Sequence, residues 1–278
     1  MNNISVIIPV FNRQELIKRA IDSVLNQTLN PGEIIVVDDG STDNTASIIK
    51  QNYPEVKLIT ISHSGVSITR NTGIKQSKYK YVALLDSDDE WDKTKLEKQY
   101  GFIKANPELL ISHTGEKWIR NGKSVNRPKK YKKFGGNVFE KCLPLTMIGA
   151  STVMFDKRVF DKYGYFDESL PVCEDYDLWL RISSHEPVGF IDEELTVKYG
   201  GHSGQLSMSE YYLDEWRFYS LEKFISKKLY ADELQKRGAV EQLLKFYEII
   251  VNGLEKKNKT SELENYKFRL KKFSNYLI

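Results

Sequence analysis

The sequence predicts an α/β fold with a mostly parallel central sheet flanked by helices, followed by a helical C-terminal extension. Three observations carry this expectation. Short, β-branched apolar runs recur along the first 86 residues. Helix-patterned segments separate them, as in βαβ units. Beyond about Ser209 strand signals stop, and a Lys/Glu/Leu/Tyr-rich stretch with long helical periodicity runs to Ile278.

ISVIIPV (Ile4–Val10) reads as a buried parallel strand. Asn12, with Glu15 three residues later, fits a capping box for a helix carrying Leu16, Ile17, Ala20, Ile21, Val24 and Leu25. EIIVVDD (Glu33–Asp39) is the second strand and STDNTASIIKQ a second capped helix. VKLITI (Val56–Ile61) is a third strand, Ser67–Ser77 a helix, and YVALLD (Tyr81–Asp86) a fourth strand. Residues 107–148 read as less regular and basic, with a turn at Gly135-Gly136. Farther on, Glu174-Asp175 precedes Leu178, Trp179 and Ile182, spaced as on a helix face. The expected division is 1–208 and 209–278, the first part splitting near 106 into a nucleotide-binding half and an acceptor half.

Composition narrows the function classes. Charged residues make up 28% and net charge is +3, so charge alone does not point to nucleic acid. No apolar run reaches the roughly 18–20 residues of a membrane span. The N-terminus lacks a signal-peptide pattern, so a cytoplasmic location is expected. Cys142 and Cys173 suit small buried hydrophobes better than a disulfide framework. KWIRNGKSVNRPKKYKK (Lys117–Lys133) is basic without an acid. It is either a solvated face or a contact for an anionic partner, such as a membrane surface or a phosphate-bearing acceptor.

The chemistry concentrates where strands end, which is where open α/β sheets bind ligands. Asp86, Asp88 and Asp89 stand together directly after an apolar strand. Carboxylates so close are costly unless a cation neutralises them, and hard oxygen ligands suit Mg²⁺ or Mn²⁺ bridging a diphosphate. The plain alternative is a solvated turn capping the next helix. VFNRQE after the first strand has no G-x-G-x-x-G, and no G-x-x-x-x-G-K-[ST] loop occurs. Dinucleotide-binding and P-loop enzymes are thereby disfavoured.

Five segments occur in order: VIIPVFN, IIVVDDGSTDNT, GVSITRNTGI, YVALLDSDDEW and EDYDLWLRI. Together they resemble the family 2 glycosyltransferases with a GT-A fold, over about Ile4 to Ser207. The resemblance implies inverting transfer of a sugar from a nucleotide diphosphate sugar, UDP-sugars favoured, with Mn²⁺ or Mg²⁺. It implies that Pro9 and Val10 line the nucleoside pocket and that Asp39 accepts a hydrogen bond from the base. Arg70 would order Asp39 or the phosphates, and Asp86 would touch the ribose or donor sugar. Asn12, Ser67 and Ser87 join the nucleotide-sugar-binding set. Asp88 would be the principal metal ligand, with His202 beside it. Asp175 would be the general base and Glu174 its orienting neighbour. The start of a helix favours a charged carboxylate there, hence a weak base. Phe11 stands where the family often has Tyr, and Thr69 where Ala is common; the Q-x-x-R-W motif of processive synthases is absent. A glycan or lipid-linked acceptor, peripheral contact with the inner membrane face and a homodimer through the C-terminal helices complete the expectations. A nucleotide-sugar-binding scaffold and a nucleotidyltransferase are the rival readings. The latter lacks a basic, glycine-rich triphosphate loop after the first strand.

Overall fold

The structure, a computed structural model, describes residues 3–201, 213–271 and 273. The described residues build one nine-stranded sheet in the order β3-β2-β1-β4-β8-β6-β9-β5, with β7 on β6. The first four strands in this order are the ones read from sequence: β1 (Ile4–Val10), β2 (Glu33–Asp38), β3 (Lys57–Thr60) and β4 (Tyr81–Leu84). They are mutually parallel, with Val10 opposite Asp38 and Ile7 opposite both Ile35 and Leu84. The helices between them are α1 (Ile17–Leu25), α2 (Thr45–Asn52) and α3 (Val66–Gln76). Gly73 lets α3 lie close on β1: a Cβ there would come 2.3 Å from Ile7 Cγ2.

The far half of the sheet is mixed. It comprises β5 (Glu90–Trp91), β6 (Ile111–Arg120), β7 (Lys123–Val125), β8 (Met154–Asp156) and β9 (Gly189–Gly200). β8 runs antiparallel to both β4 and β6, while β9 runs parallel to β6 and antiparallel to β5. The strongly parallel character therefore belongs to the first half. Residues 107–148 are also more ordered than expected, since β6 lies inside the sheet. Its sequence hides this because its buried positions are polar: Ser112, His113, Thr114 and Glu116. Three of them have a partner from outside the strand. Gln99 Nε2 donates to Ser112 O, His113 Nε2 meets Phe134 O at 2.8 Å, and Glu116 pairs with Lys133.

Two cores flank the sheet. Ile4, Val6, Ile8 and Val10 face α1, α2 and α4 (Lys95–Ala105), the last through Leu96 and Ile103. Ile7, Ile35, Val37, Val82 and Leu84 face the opposite core. That core holds α5 (Phe139–Cys142), α6 (Arg158–Tyr163), α7 (Glu174–Ser183) and the C-terminal helices α8 (Leu213–Ser226), α9 (Glu233–Lys256) and α10 (Thr260–Lys271). Phe139 stacks on Phe224 at 5.4 Å. Tyr176 and Trp179 are core residues whose polar atoms reach Leu143 O and Ile148 O. Both cysteines are free and buried.

The expected capping box is not formed. Leu16 occupies the N-cap of α1, and Asn12 takes a left-handed φ of 50°. Asn12 instead joins two loops, its Oδ1 accepting from Thr42 N–H at 2.8 Å and its own N–H donating to Ser41 Oγ at 2.9 Å. An Asn tolerates this backbone and bonds locally, which is what the turn uses.

Candidate active site

The ends of β1, β2 and β4, the start of α3 and the start of α7 converge on one edge of the sheet. Val10 closes β1, its carbonyl accepting from Asp39 N–H at 2.8 Å, and Pro9 lies buried beside Val37. Asp39 is 3% exposed. Its Oδ1 accepts from Ser64 N–H at 2.7 Å and its Oδ2 from Gly65 N–H at 3.0 Å. His63 Nδ1 sits 2.9 Å from the same Oδ2. The His63 ring stacks on Phe11 at 4.1 Å, forming an aromatic wall that sequence reading missed because residues 61–65 carry no periodic signal. Ser67 sits in the first turn of α3, with Oγ directed to Leu170 O.

Arg70 does not reach Asp39. It joins the two carboxylate clusters, with one guanidinium nitrogen on Asp86 Oδ1 at 2.7 Å and the other in close contact with Glu174 Oε1. The guanidinium is buried, and its rigid fork can hold two carboxylates at once. Burial works against ionised Asp86, but Arg70 and Lys198 outweigh it and hold the group below its ordinary range. The opposite holds for Glu174: burial and the like charge of Asp175 push it up to about 7 despite Arg70.

Asp175 is the second residue of α7, with Oδ1 accepting from Tyr176 N–H at 2.7 Å. Burial raises its proton affinity above the usual carboxylate range, although Arg70 and the Tyr176 N–H lower it in part. It is therefore a stronger base than a helix N-terminus alone would make it. Cys173, just before, takes a left-handed φ of 62°, an uncommon geometry for a non-glycine residue.

In the acidic turn, Ser87 is buried and Asp88 half-buried, with the Asp88 carbonyl accepting from Arg19. Arg19 in turn lies over the Tyr199 ring at 3.6 Å. Asp89, 2% exposed, accepts from Ser151 Oγ at 2.6 Å and Tyr199 N–H at 3.2 Å. Burial, reinforced by Asp86 and Asp88, pushes it well above the ordinary range, so it favours the neutral form. Asp86 and Asp89 are already engaged, and no cluster of three or more His, Cys, Asp or Glu side chains suited to a metal occurs among the described residues. Mg²⁺ commonly takes only one or two carboxylates plus substrate phosphates. Asp88 with a donor diphosphate fits that mode. His202 lies outside the described residues.

Three more charged residues border the site with no motif to announce them. Glu116 of β6 pairs with Lys133 at 3.0 Å, and Lys198 of β9 faces Glu116, Asp89, Asp86 and Asp175.

A mixed α/β sheet with two carboxylate clusters tied at its edge is an architecture of the GT-A type. The sequence profile described as glycosyl transferase family 2 matches residues 5–164, more than half of the 278, and the chain belongs to this family. It is 39% identical over 199 residues to an uncharacterized glycosyltransferase of Rickettsia bellii, covering 69% of this chain and 28% of that protein. It is 31% identical over 196 residues to an Escherichia coli UDP-Glc:α-D-GlcNAc-diphosphoundecaprenol β-1,3-glucosyltransferase, covering 68% of this chain and 73% of the relative. Staphylococcus aureus TarS, crystallised with UDP-GlcNAc, superposes with a TM-score of 0.69 at 21% identity, over 88% of this chain and 71% of TarS, and shares the fold.

Proposed function

We propose that this chain transfers a sugar from a UDP-sugar to an acceptor hydroxyl in surface-glycan biosynthesis, with inversion and with a divalent metal. The observation that carries the reading is Arg70. It holds Asp86 of the acidic turn and Glu174 of α7 together, although 88 residues separate them in sequence (174 − 86). A leaving diphosphate and an acceptor hydroxyl need opposite chemistry within a few ångströms, and this bridge supports it.

Asp175 takes the hydroxyl proton as the acceptor oxygen bonds the anomeric carbon. The bond from that carbon to the diphosphate oxygen breaks on the opposite face, and UDP leaves. Glu174, fixed by Arg70, orients Asp175. Asp39 and the Phe11–His63 wall receive the uracil, with Pro9, Val10, Asn12 and Ser67 around the nucleoside. Asp86 and Ser87 contact the ribose and donor sugar. Asp88 would hold Mn²⁺ or Mg²⁺, with His202 proposed as a further ligand from the family resemblance alone; the metal supplies Lewis-acid stabilisation of the leaving diphosphate when bound.

The acceptor is a glycan or lipid-linked hydroxyl, a reading supported by the E. coli relative's diphosphoundecaprenol acceptor. Exposed Lys117, Arg120, Lys123, Lys129, Lys130 and Lys132 around the β6–β7 hairpin support peripheral contact with an anionic inner membrane face. No helix among the described residues is long and apolar enough to cross a membrane. Exposed Leu234, Ile249 and Phe268 support self-association through the C-terminal helices. The test is UDP release and product anomericity by NMR with UDP-hexoses, Mn²⁺ and a polyprenyl-diphosphate-linked sugar. The expected result is metal-dependent release with an inverted linkage. A retained linkage, or nucleotide release from GDP-sugars alone, overturns the reading.

A further inference from the structure

Three elements hold the acidic turn, and one of their ties has no counterpart in the sequence motifs. From the short turn Ala150–Thr152, Ser151 Oγ accepts from Asp86 N–H at 3.1 Å and donates to Asp89 Oδ2 at 2.6 Å. From β9, Tyr199 N–H donates to Asp89 Oδ1 at 3.2 Å and the Tyr199 hydroxyl to Glu90 Oε2 at 2.7 Å. From α1, Arg19 donates to the Asp88 carbonyl, and Ser23, one helical turn on, accepts from Trp91 N–H at 3.2 Å. Arg19 and Tyr199 also meet each other, the guanidinium carbon 3.6 Å from the ring centre. The pair is a clasp that joins α1 to β9 across the turn. Two features mark it as a device of geometry. Arg19 donates to a backbone carbonyl, not to a carboxylate, and so fixes a peptide plane. Its Nε is buried with no hydrogen-bond partner among the described residues, a desolvation cost that a side chain placed for stability alone would avoid.

We infer that Arg19, lying on Tyr199, is a positioning residue of the donor site: it fixes the backbone of Asp88 so that this carboxylate meets the diphosphate of the nucleotide sugar. The inference rests on the proposed role of Asp88. With the Asp88 carbonyl held by Arg19, and Asp89 held through both carboxylate oxygens, the direction in which the Asp88 side chain leaves the backbone is set. Only its two side-chain torsions are left, and these sit in a few staggered or broad wells. A planar guanidinium can bond a carbonyl in its own plane while its face lies on an aromatic ring; a lysine ammonium has no such face.

The experiment is calorimetry of UDP and of uridine on wild type, Arg19→Met, Arg19→Lys and Tyr199→Leu, with Mn²⁺ and with chelator. Amide hydrogen exchange by NMR accompanies it, and thermal unfolding checks folding. Uridine reads the nucleoside pocket, and the ratio of UDP to uridine affinity reads how well the diphosphate is met. Loss of the clasp lowers that ratio by about 10- to 100-fold, the scale of about 1 Å of misplacement at a bound group, and leaves uridine affinity in place. Exchange speeds up at the Asp86 and Asp89 amides and not in β1. Arg19→Met combined with Tyr199→Leu loses no more than the worse single variant, because both remove the same contact. Arg19→Lys keeps the charge without the stacked fork, and its ratio stays low. If Arg19→Met does not fold, Arg19→Lys and Tyr199→Leu carry the test. A side chain that serves packing alone changes the unfolding temperature and leaves the ratio in place. An unmoved ratio in folded Arg19→Met or Tyr199→Leu, or a ratio fully restored by Arg19→Lys, overturns the inference. A wild type in which Mn²⁺ adds nothing to UDP affinity sinks the metal reading of Asp88 instead, and the ratio measured with chelator then decides the inference.

Discussion

Arg70→Met tests the bridge at the centre of the site. The side chain is 5% exposed, and its two partners are 27% and 8% exposed. Removing one side of a buried ion pair leaves uncompensated charge and costs about 3–5 kcal/mol. Here the cost depends on pH, because Glu174 can take up a proton. Its folded-state value of about 7 lies above its ordinary 4.5, so the folded protein binds the extra proton between those values. Stability contributed by this group therefore falls as pH rises from 4.5 to 7, by an order of 3 kcal/mol at about 1.4 kcal/mol per unit. Loss of Arg70 raises the Glu174 value further and extends the window upward. At pH 6 the variant buries a neutral acid; at pH 8.5 it must either bury a bare carboxylate or hold a proton against the solution. Thermal unfolding should show a loss of roughly 10 °C at pH 8.5, taking about 2–4 °C per kcal/mol for a chain of this size, and distinctly less at pH 6. Arg70→Met with Glu174→Gln should recover part of the loss at pH 8.5. An equal loss at both pH values, or no recovery in the double variant, would refute the charge argument.

Four further outcomes follow from the same geometry. Asp88→Asn should abolish the Mn²⁺ dependence of UDP binding in calorimetry while leaving the unfolding temperature within a few degrees, since the replacement keeps the shape of a side chain that is only half-buried. Asp175→Asn should lower turnover by about 10²–10⁴-fold with donor affinity little changed, read from steady-state kinetics. Asp39→Ala should release the Ser64 and Gly65 N–H groups and erase any preference for UDP over GDP in competitive binding. Lys95 is fully buried beside Trp91 and burial lowers it to about 7. The unfolded chain therefore binds more protons between about 7 and 10.5, and stability from this site rises with pH across that window. Lys95→Met should flatten that rise in unfolding curves.

What was legible in the sequence followed physical regularity. β1, β2 and β4 are buried on both faces, so their apolar runs stand out, and the site residues at their ends inherit that clarity. Asp86 and Glu174 were both singled out, but their union was not, because nothing in either motif says that Arg70 joins them. β6 and β9 stayed hidden for a different reason. β6 buries polar residues whose partners come from distant segments, and β9 carries three consecutive exposed acids, Asp192, Glu193 and Glu194, at its irregular pairing with β6. Periodicity cannot report a buried glutamate that is tolerable only because Lys133 arrives from a later loop. Glu116 and Lys198 were missed with their strands. The capping-box pattern at Asn12 failed because the same side chain had a better use, holding two loops together.

The C-terminal helices bear on how this chain can be recombined. Cassette exchange works when a segment's hydrophobic face closes on itself, and this one does not. Phe218, Leu221, Phe224, Ala239, Leu243 and Phe246 meet Phe139, Cys142 and Tyr176 in a single core, so α7 is clamped from behind by the tail. A chimera cut between β9 and α8 would pair mismatched halves of that core and unseat the helix that begins with Glu174 and Asp175. The opposite face of the sheet, filled by Ile4, Val6, Ile8 and their partners up to Met154, contains none of the tail's described residues. Natural or engineered shuffling should therefore move α5, α7 and the tail as one inheritance, leaving the face packed by α1, α2 and α4 behind as the constant chassis.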